Sequence, residues 1–133
     1  TMVKNAESDG AVFTAANDSR VTAFGKFMRK TRMDEFPQFI NILKGDMAVI
    51  GPRPERPIFV KEIAEIMPFY ETRHIIKPGL TGWAQVNYSY GETIDDSLIK
   101  LQYDLYYIKH RSIYLDMNIA FKTITTILFY RGQ

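Results

Sequence analysis

Three prolines fall within the seven residues Gly51-Pro52-Arg53-Pro54-Glu55-Arg56-Pro57, and no other stretch of the chain limits the fold as sharply. Each proline lacks a backbone N–H and holds φ near about −65°, so neither a helix nor a central strand can run through the segment. A rigid loop is required, and the elements on either side of it must be separate. Arg53 lies between two of these prolines, so its backbone is fixed before any ligand arrives.

The flanking elements follow from periodicity and caps. Residues 1–18 are polar, lack helical or strand period, and read as a flexible lead-in, with order expected from Asp18-Ser19. Either of those residues can cap a helix over residues 20–31 that gathers Val21, Phe24, Phe27 and Met28 on one face. After Asp34-Glu35, Pro37 suits the first turn of a second helix, with Phe36, Phe39, Ile40 and Leu43 as its apolar stripe and Gly45 as its C-cap. Residues 47–50 are a short apolar run fit for a strand. Residues 58–67 read as a helix with Phe59, Ile63 and Ile66 inward, stopped by Pro68, and residues 69–76 as a further helical turn. Residues 77–86 read as a turn-rich loop around Trp83. A long helix is expected over residues 93–109, capped by Thr93, with Asp95 and Asp96 in its first turn and Leu98, Leu101, Leu105 and Ile108 as its core stripe. The last segment, residues 113–130, sets Ile113, Met117, Ala120, Phe121, Ile124, Ile127 and Leu128 on one face, which either packs on the core or lies on a membrane surface.

With 133 residues, 46% hydrophobic and 24% charged, the chain fits one globular domain. The expected class is mainly α with a small β element: a compact helical domain over residues 19–133, with amphipathic helices and little strand. Seventeen Lys and Arg against fifteen Asp and Glu give a net charge of +2, too balanced for a general polyanion binder. Nucleic acid is not an expected partner, because the basic run lacks interleaved exposed aromatics. The absence of cysteine removes disulfides, thiolate zinc sites and cysteine nucleophiles, and with His74 and His110 as the two histidines any metal is expected to be a hard cation on carboxylates. The longest uncharged run, residues 78–91, contains Pro78, Gly79, Gly82 and Gly91 and cannot be a spanning helix. The opening Thr1-Met2-Val3 reads as a point inside a longer chain.

Five basic residues, Arg20, Lys26, Arg29, Lys30 and Arg32, precede Asp34-Glu35 with no acid among them. Together with the rigid Arg53 they suggest an anion site: Arg29 and Arg53 as clamps, a helix N-terminus supplying N–H groups, and two carboxylates beside it. Carboxylates next to a bound phosphate repel it, and Mg²⁺ bridging the two would relieve the repulsion. That arrangement points to phosphoryl transfer, in which an Asp can attack phosphorus to form an aspartyl phosphate. Asp104, between Tyr103 and Tyr106-Tyr107 on an apolar helix, is either paired with an arginine or a metal ligand. Trp83 is either a core plug or a platform for a sugar or base, and the two histidines read as structural or exposed.

The ordered motifs Arg29-Lys30-Thr31-Arg32-Met33-Asp34-Glu35-Phe36-Pro37-Gln38, Leu43-Lys44-Gly45-Asp46-Met47, Ile50-Gly51-Pro52-Arg53-Pro54, Lys77-Pro78-Gly79-Leu80-Thr81-Gly82-Trp83-Ala84-Gln85-Val86-Asn87 and Tyr103-Asp104-Leu105-Tyr106-Tyr107-Ile108-Lys109 resemble the bacterial sugar transferases, the monotopic polyprenyl-phosphate phosphoglycosyl transferases. The resemblance runs from about Asp18 to Gly132, and Tyr88-Ser89-Tyr90-Gly91 with Ile94-Asp95-Asp96 is similar to the exopolysaccharide branch. It implies transfer of a sugar 1-phosphate from a nucleotide diphosphate sugar, typically a UDP-sugar, to undecaprenyl phosphate, the first membrane step of surface polysaccharide assembly. It implies Asp34 as nucleophile of a covalent phosphosugar intermediate and Glu35 as its metal-binding or proton-handling partner. Arg29 and Arg53 match phosphate-site arginines, with Arg32 a further substrate-binding candidate, and Asp104 matches an active-site acid that helps hold Mg²⁺.

The family also carries a membrane-inserted, re-entrant helix and a basic segment upstream, of which Thr1-Met2 would match the end, and activity is expected to depend on it. The implied location is the cytoplasmic face of the bacterial inner membrane, with the amphipathic last helix at the headgroup level; exposed apolar surface on that helix is also expected to favour homo-oligomers. The competing expectation is a non-catalytic module derived from the family that binds membrane or a partner.

Overall fold

The structure is a computed structural model that describes residues 1–4, 6, 18–31, 33–88 and 93–128. Asp18 does not cap the first helix, because Arg20 takes its carboxylate in a paired contact, with Nε to Oδ1 at 2.9 Å, that holds the Asp18 carboxyl down at about 2. Thr22 caps instead, its hydroxyl accepting the Gly25 N–H at 2.9 Å, and helix α1 is the shorter Ala23–Lys30. The described start of the chain is pinned to this cap. Met2 pairs antiparallel with Val21, and the Thr22 N–H donates to the Thr1 carbonyl at 3.1 Å. Residues 1–3 of the expected lead-in are thus bonded to the start of α1, while residues 5 and 7–17 lie outside the described residues.

A 3₁₀ turn over Met33–Glu35 leads into helix α2, Phe36–Lys44, which opens on Pro37 and ends at Gly45 with φ of 83°. That left-handed backbone favours glycine. Strand β1, Ala48–Ile50, enters the proline loop, and helix α3, Pro57–Ile66, leaves it. Phe59 and Ile63 of α3 are buried as expected, but Ile66 is exposed. A 3₁₀ turn follows over Tyr70–Ile75. The expected loop around Trp83 is more ordered than its composition suggests: it holds strand β2, Gly79–Thr81, and helix α4, Trp83–Asn87.

Strands β1 and β2 are parallel, with Ala48 opposite Gly79 and Ile50 opposite Thr81. Their pairing depends on backbone proximity that no side chain would permit. A Cβ on Gly79 would overlap Gly51 N and lie 2.6 Å from its Cα, one on Gly51 would lie 2.5 Å from the Lys77 carbonyl oxygen, and one on Gly82 would overlap the Gly51 carbonyl. The glycines of Gly51-Pro52 and Gly79-Leu80-Thr81-Gly82 are thus two halves of one crossing.

Helix α5, Ile94–His110, begins with the expected Thr93 cap, completed by Asp96 in a reciprocal capping box. It is the spine between two core clusters. Phe59, Ile63, Tyr70 and Leu101 form the first; Tyr107, Leu115 and Ile119 form the second, against which Ile50, Ile76, Trp83 and Val86 pack. Leu98, expected in the core stripe, is exposed, and Asp104 and Tyr107 occupy the most buried positions of the helix.

Helix α6, Ile113–Leu128, follows directly. Its buried face is Leu115 and Ile119, not the face that periodicity favoured, and Ile113, Met117, Phe121, Ile124 and Ile127 are exposed. Helix α2 goes further: none of its residues is buried, and Phe36, Phe39, Ile40 and Leu43 all face outward. Among the described residues no helix is long and apolar enough to cross a membrane.

Candidate active site

Asp34 and Glu35 sit on the 3₁₀ turn at the entrance to α2, where carboxylates oppose the positive end of the helix dipole. Both are half-buried. Among the described residues no hydrogen bond or ion pair engages the Asp34 carboxylate. The structure brings Arg53 to this turn across a separation of eighteen residues, its Nη1 lying 3.9 Å from Glu35 Oε1. The Arg53 side chain keeps about half of its exposure, so the guanidinium is available to a ligand while Glu35 holds its direction.

Two backbone contacts aim Arg53. The carbonyl of Pro52 accepts the Gly79 N–H at 2.8 Å, and the carbonyl of Arg53 itself accepts Arg73 Nη2 at 2.9 Å. Arg73 was not among the residues that the sequence singled out. The signal for it was indirect: a carboxylate at position 104 on an apolar helix demands a cation. Arg73 is that cation, with Nε 3.0 Å and Nη2 2.8 Å from Asp104 Oδ2, and Nη1 donating to the Tyr70 hydroxyl at 2.6 Å.

Of the two readings that its sequence context left open for Asp104, the ion pair is the one that the contacts show. The residue is 1% exposed and its carboxylate is engaged by Arg73. Burial pushes its carboxyl up to about 6 even though Arg73 pulls the other way. Among the described residues no group of three or more His, Asp or Glu side chains gathers as a metal cage. Asp34 and Glu35 alone still fit a hard cation of the Mg²⁺ type, which is commonly held by one or two carboxylates and completes its shell with phosphate oxygens and water.

Of the other expected residues, Arg29 faces the start of the chain: its Nη2 lies 3.5 Å from the Thr1 hydroxyl, and its charge reaches Asp18. Arg32 lies outside the described residues. Trp83 is partly buried against the second core cluster, stacked on Tyr106 with centroids 6.2 Å apart, and Lys122 Nζ lies 4.6 Å from its ring centroid. Its packing is that of a core plug that fastens α4 to α5 and α6. His74 and His110 are both exposed.

The sequence matches the family model described as "Bacterial sugar transferase" over residues 1–130. It is 53% identical over 128 residues to the UDP-N-acetylgalactosamine-undecaprenyl-phosphate N-acetylgalactosaminephosphotransferase of Aeromonas hydrophila, covering 96% of this chain and 30% of that protein. The UDP-glucose:undecaprenyl-phosphate glucose-1-phosphate transferase of Escherichia coli K12 is 43% identical over 127 residues, covering 92% of this chain and 27% of that protein. The undecaprenyl-phosphate galactose phosphotransferase of Salmonella typhimurium is 38% identical over 116 residues, covering 87% and 23%. The chain spans less than a third of the length of these relatives. Motif order, a mainly helical fold and a match across nearly the whole sequence agree, and the chain belongs to the bacterial sugar transferase family.

Proposed function

We propose that this chain is the catalytic portion of a phosphoglycosyl transferase that moves a sugar 1-phosphate from a UDP-sugar to undecaprenyl phosphate at the cytoplasmic face of the bacterial inner membrane. The observation that carries the reading is the meeting of Arg53 with the Asp34-Glu35 turn at the start of α2, in a chain whose relatives are sugar phosphotransferases acting on undecaprenyl phosphate.

The diphosphate of the donor binds against Arg53, with Arg29 and Arg32 as further basic candidates. Asp34 attacks the β-phosphorus in line; a carboxylate oxygen–phosphorus bond forms, the bond to the bridging oxygen breaks, and the nucleoside monophosphate leaves with the electron pair. A phosphate oxygen of undecaprenyl phosphate then attacks the same phosphorus, forming the polyprenyl diphosphate sugar and returning Asp34 as a free carboxylate. Glu35, whose Oε1 lies 3.9 Å from Arg53 Nη1, would hold Mg²⁺ beside the substrate. Mg²⁺, when bound, supplies charge neutralisation at the phosphoryl oxygens.

The outward apolar faces of α2 and α6 support a membrane-surface location, since their side chains would otherwise meet water along most of two helices.

The test is intact-protein mass spectrometry after incubation with Mg²⁺ and a panel of UDP-sugars, beside Asp34→Asn. The expected result is a mass increase of one sugar phosphate on the unsubstituted chain and none on the variant. An adduct that survives Asp34→Asn would overturn the assignment of the nucleophile.

A further inference from the structure

Arg73 is 3% exposed and lies outside the carboxylate turn, yet its guanidinium is bound to the backbone of Arg53, whose side chain reaches across to that turn. Its three nitrogens are divided among three structural elements. Nε and Nη2 meet Asp104 on α5, Nη1 meets Tyr70 one helical turn back, and Nη2 also meets the carbonyl of Arg53 in the proline loop. A structural ion pair requires only the first of these contacts. The last has a different consequence, because Pro52 and Pro54 have no N–H with which the loop could be tied down. The Gly51 amide ties the loop's start to the Thr81 carbonyl, and beyond it two successive carbonyls are gripped: Pro52 by the Gly79 amide and Arg53 by Arg73. With both held, the point from which the Arg53 side chain sets out toward Glu35 is fixed by the protein's interior.

From this geometry we infer that Arg73, oriented by Asp104 and Tyr70, is a positioning residue for the anion site, acting through the Arg53 backbone. The inference rests on the reading of Arg53 as a phosphate-binding side chain. A lysine at position 73 keeps the charge opposite Asp104 but is a single point donor, and it cannot hold Asp104 and the Arg53 carbonyl in the fixed fork that a guanidinium provides.

The test is a double-mutant cycle read by calorimetric titration with UDP in the presence of Mg²⁺, using the full chain, Arg73→Lys, Arg53→Ala and the double variant, with thermal melts in parallel. Arg73→Lys is expected to stay folded and to weaken UDP binding about tenfold, and adding Arg53→Ala to it is expected to cost far less than Arg53→Ala alone. A purely structural Arg73 would lower the melting temperature and leave the two losses additive, which would overturn the inference. Wild-type affinity in Arg73→Lys beside a weakened Arg53→Ala would overturn it while the anion-site reading stands; wild-type affinity in Arg53→Ala would overturn both. If Arg73→Lys does not fold, Tyr70→Phe, which removes the hydroxyl on Nη1, takes its place. A twofold to threefold loss that vanishes on the Arg53→Ala background supports the inference, and additivity overturns it.

Discussion

Replacing Gly79 by alanine tests whether the crossing of the two glycine motifs holds the site together. The new Cβ would overlap Gly51 N and lie 2.6 Å from Gly51 Cα and from the Thr81 carbonyl oxygen, all backbone atoms with no rotamer to move. Carbon atoms in contact normally rest about 3.5–4.0 Å apart, so the strands must separate by roughly 1 Å. The hydrogen bonds across the crossing, Gly79 N–H to Pro52, Gly51 N–H to Thr81 and Ala48 N–H to Pro78, now measure 2.8, 2.9 and 2.8 Å. A retreat of that size takes them past the limit of about 3.5 Å, and at about 1 kcal/mol each the loss is about 3 kcal/mol. Because the Pro52 carbonyl is one of the two grips on Arg53, UDP affinity should fall as well. Gly45→Ala is the control: its Cβ would approach only Lys77 Nζ, at 3.8 Å, and its cost is that of a left-handed backbone, about 1–2 kcal/mol. Urea unfolding of the three proteins followed by circular dichroism gives the comparison. If Gly79→Ala costs no more than Gly45→Ala, or loses stability with UDP affinity intact, the reasoning is refuted.

Further outcomes are expected on the surface and in the core. Phe121→Asp with Ile124→Asp changes two exposed residues of α6, so the variant should fold normally yet co-sediment less with anionic liposomes; equal recovery would remove α6 from the membrane face. Burial and the hydrogen bond to Asp116 push the Tyr107 phenol up to about 12, so the native chain holds a proton that the unfolded chain releases near 10. That stabilisation is complete below pH 10 and is lost as pH rises toward 12, and Tyr107→Phe should therefore show a shallower decline in unfolding free energy over that window.

Local chemistry made most of the helices readable. Gly45 and Thr93 are caps whose geometry is set by the residue itself, and Pro37 suits a first helical turn; Pro57, read as the end of the rigid loop, instead opens α3. Strand β2 was not readable, because Gly79-Leu80-Thr81 becomes a strand only when Ala48-Val49-Ile50 lies beside it, and pairing between distant segments leaves no period in either. Helical period located apolar faces but could not say what they meet: the stripe of α2 is exposed, while α6 buries the other side of its circumference. Within the candidate site, Asp34, Glu35 and Arg53 stand out in the sequence because their residue types and spacing suit phosphoryl chemistry, and the contact of Arg53 with Glu35 joins two of them. Arg73 was not, since its role is conferred by Asp104 and by a backbone carbonyl, neither of which marks the sequence around it.

The parallel strand pair has a kinetic consequence. It closes a loop over residues 51–78 with three residues on each side, and closure of about 28 residues carries an entropic cost of about 3 kcal/mol beyond its constant part. A few hydrogen bonds do not offset that alone, so the strands are expected to pair after α3 and the Tyr70–Ile75 turn have docked on α5. The reverse path is equally direct: the amides of Gly51 and Gly79 should exchange with solvent before those in the middle of α5, around the buried Tyr107. Such early exchange would mean that Arg53 and its proline loop are released and recaptured while the helices remain packed, so that the proposed anion site re-forms by local closure rather than by refolding.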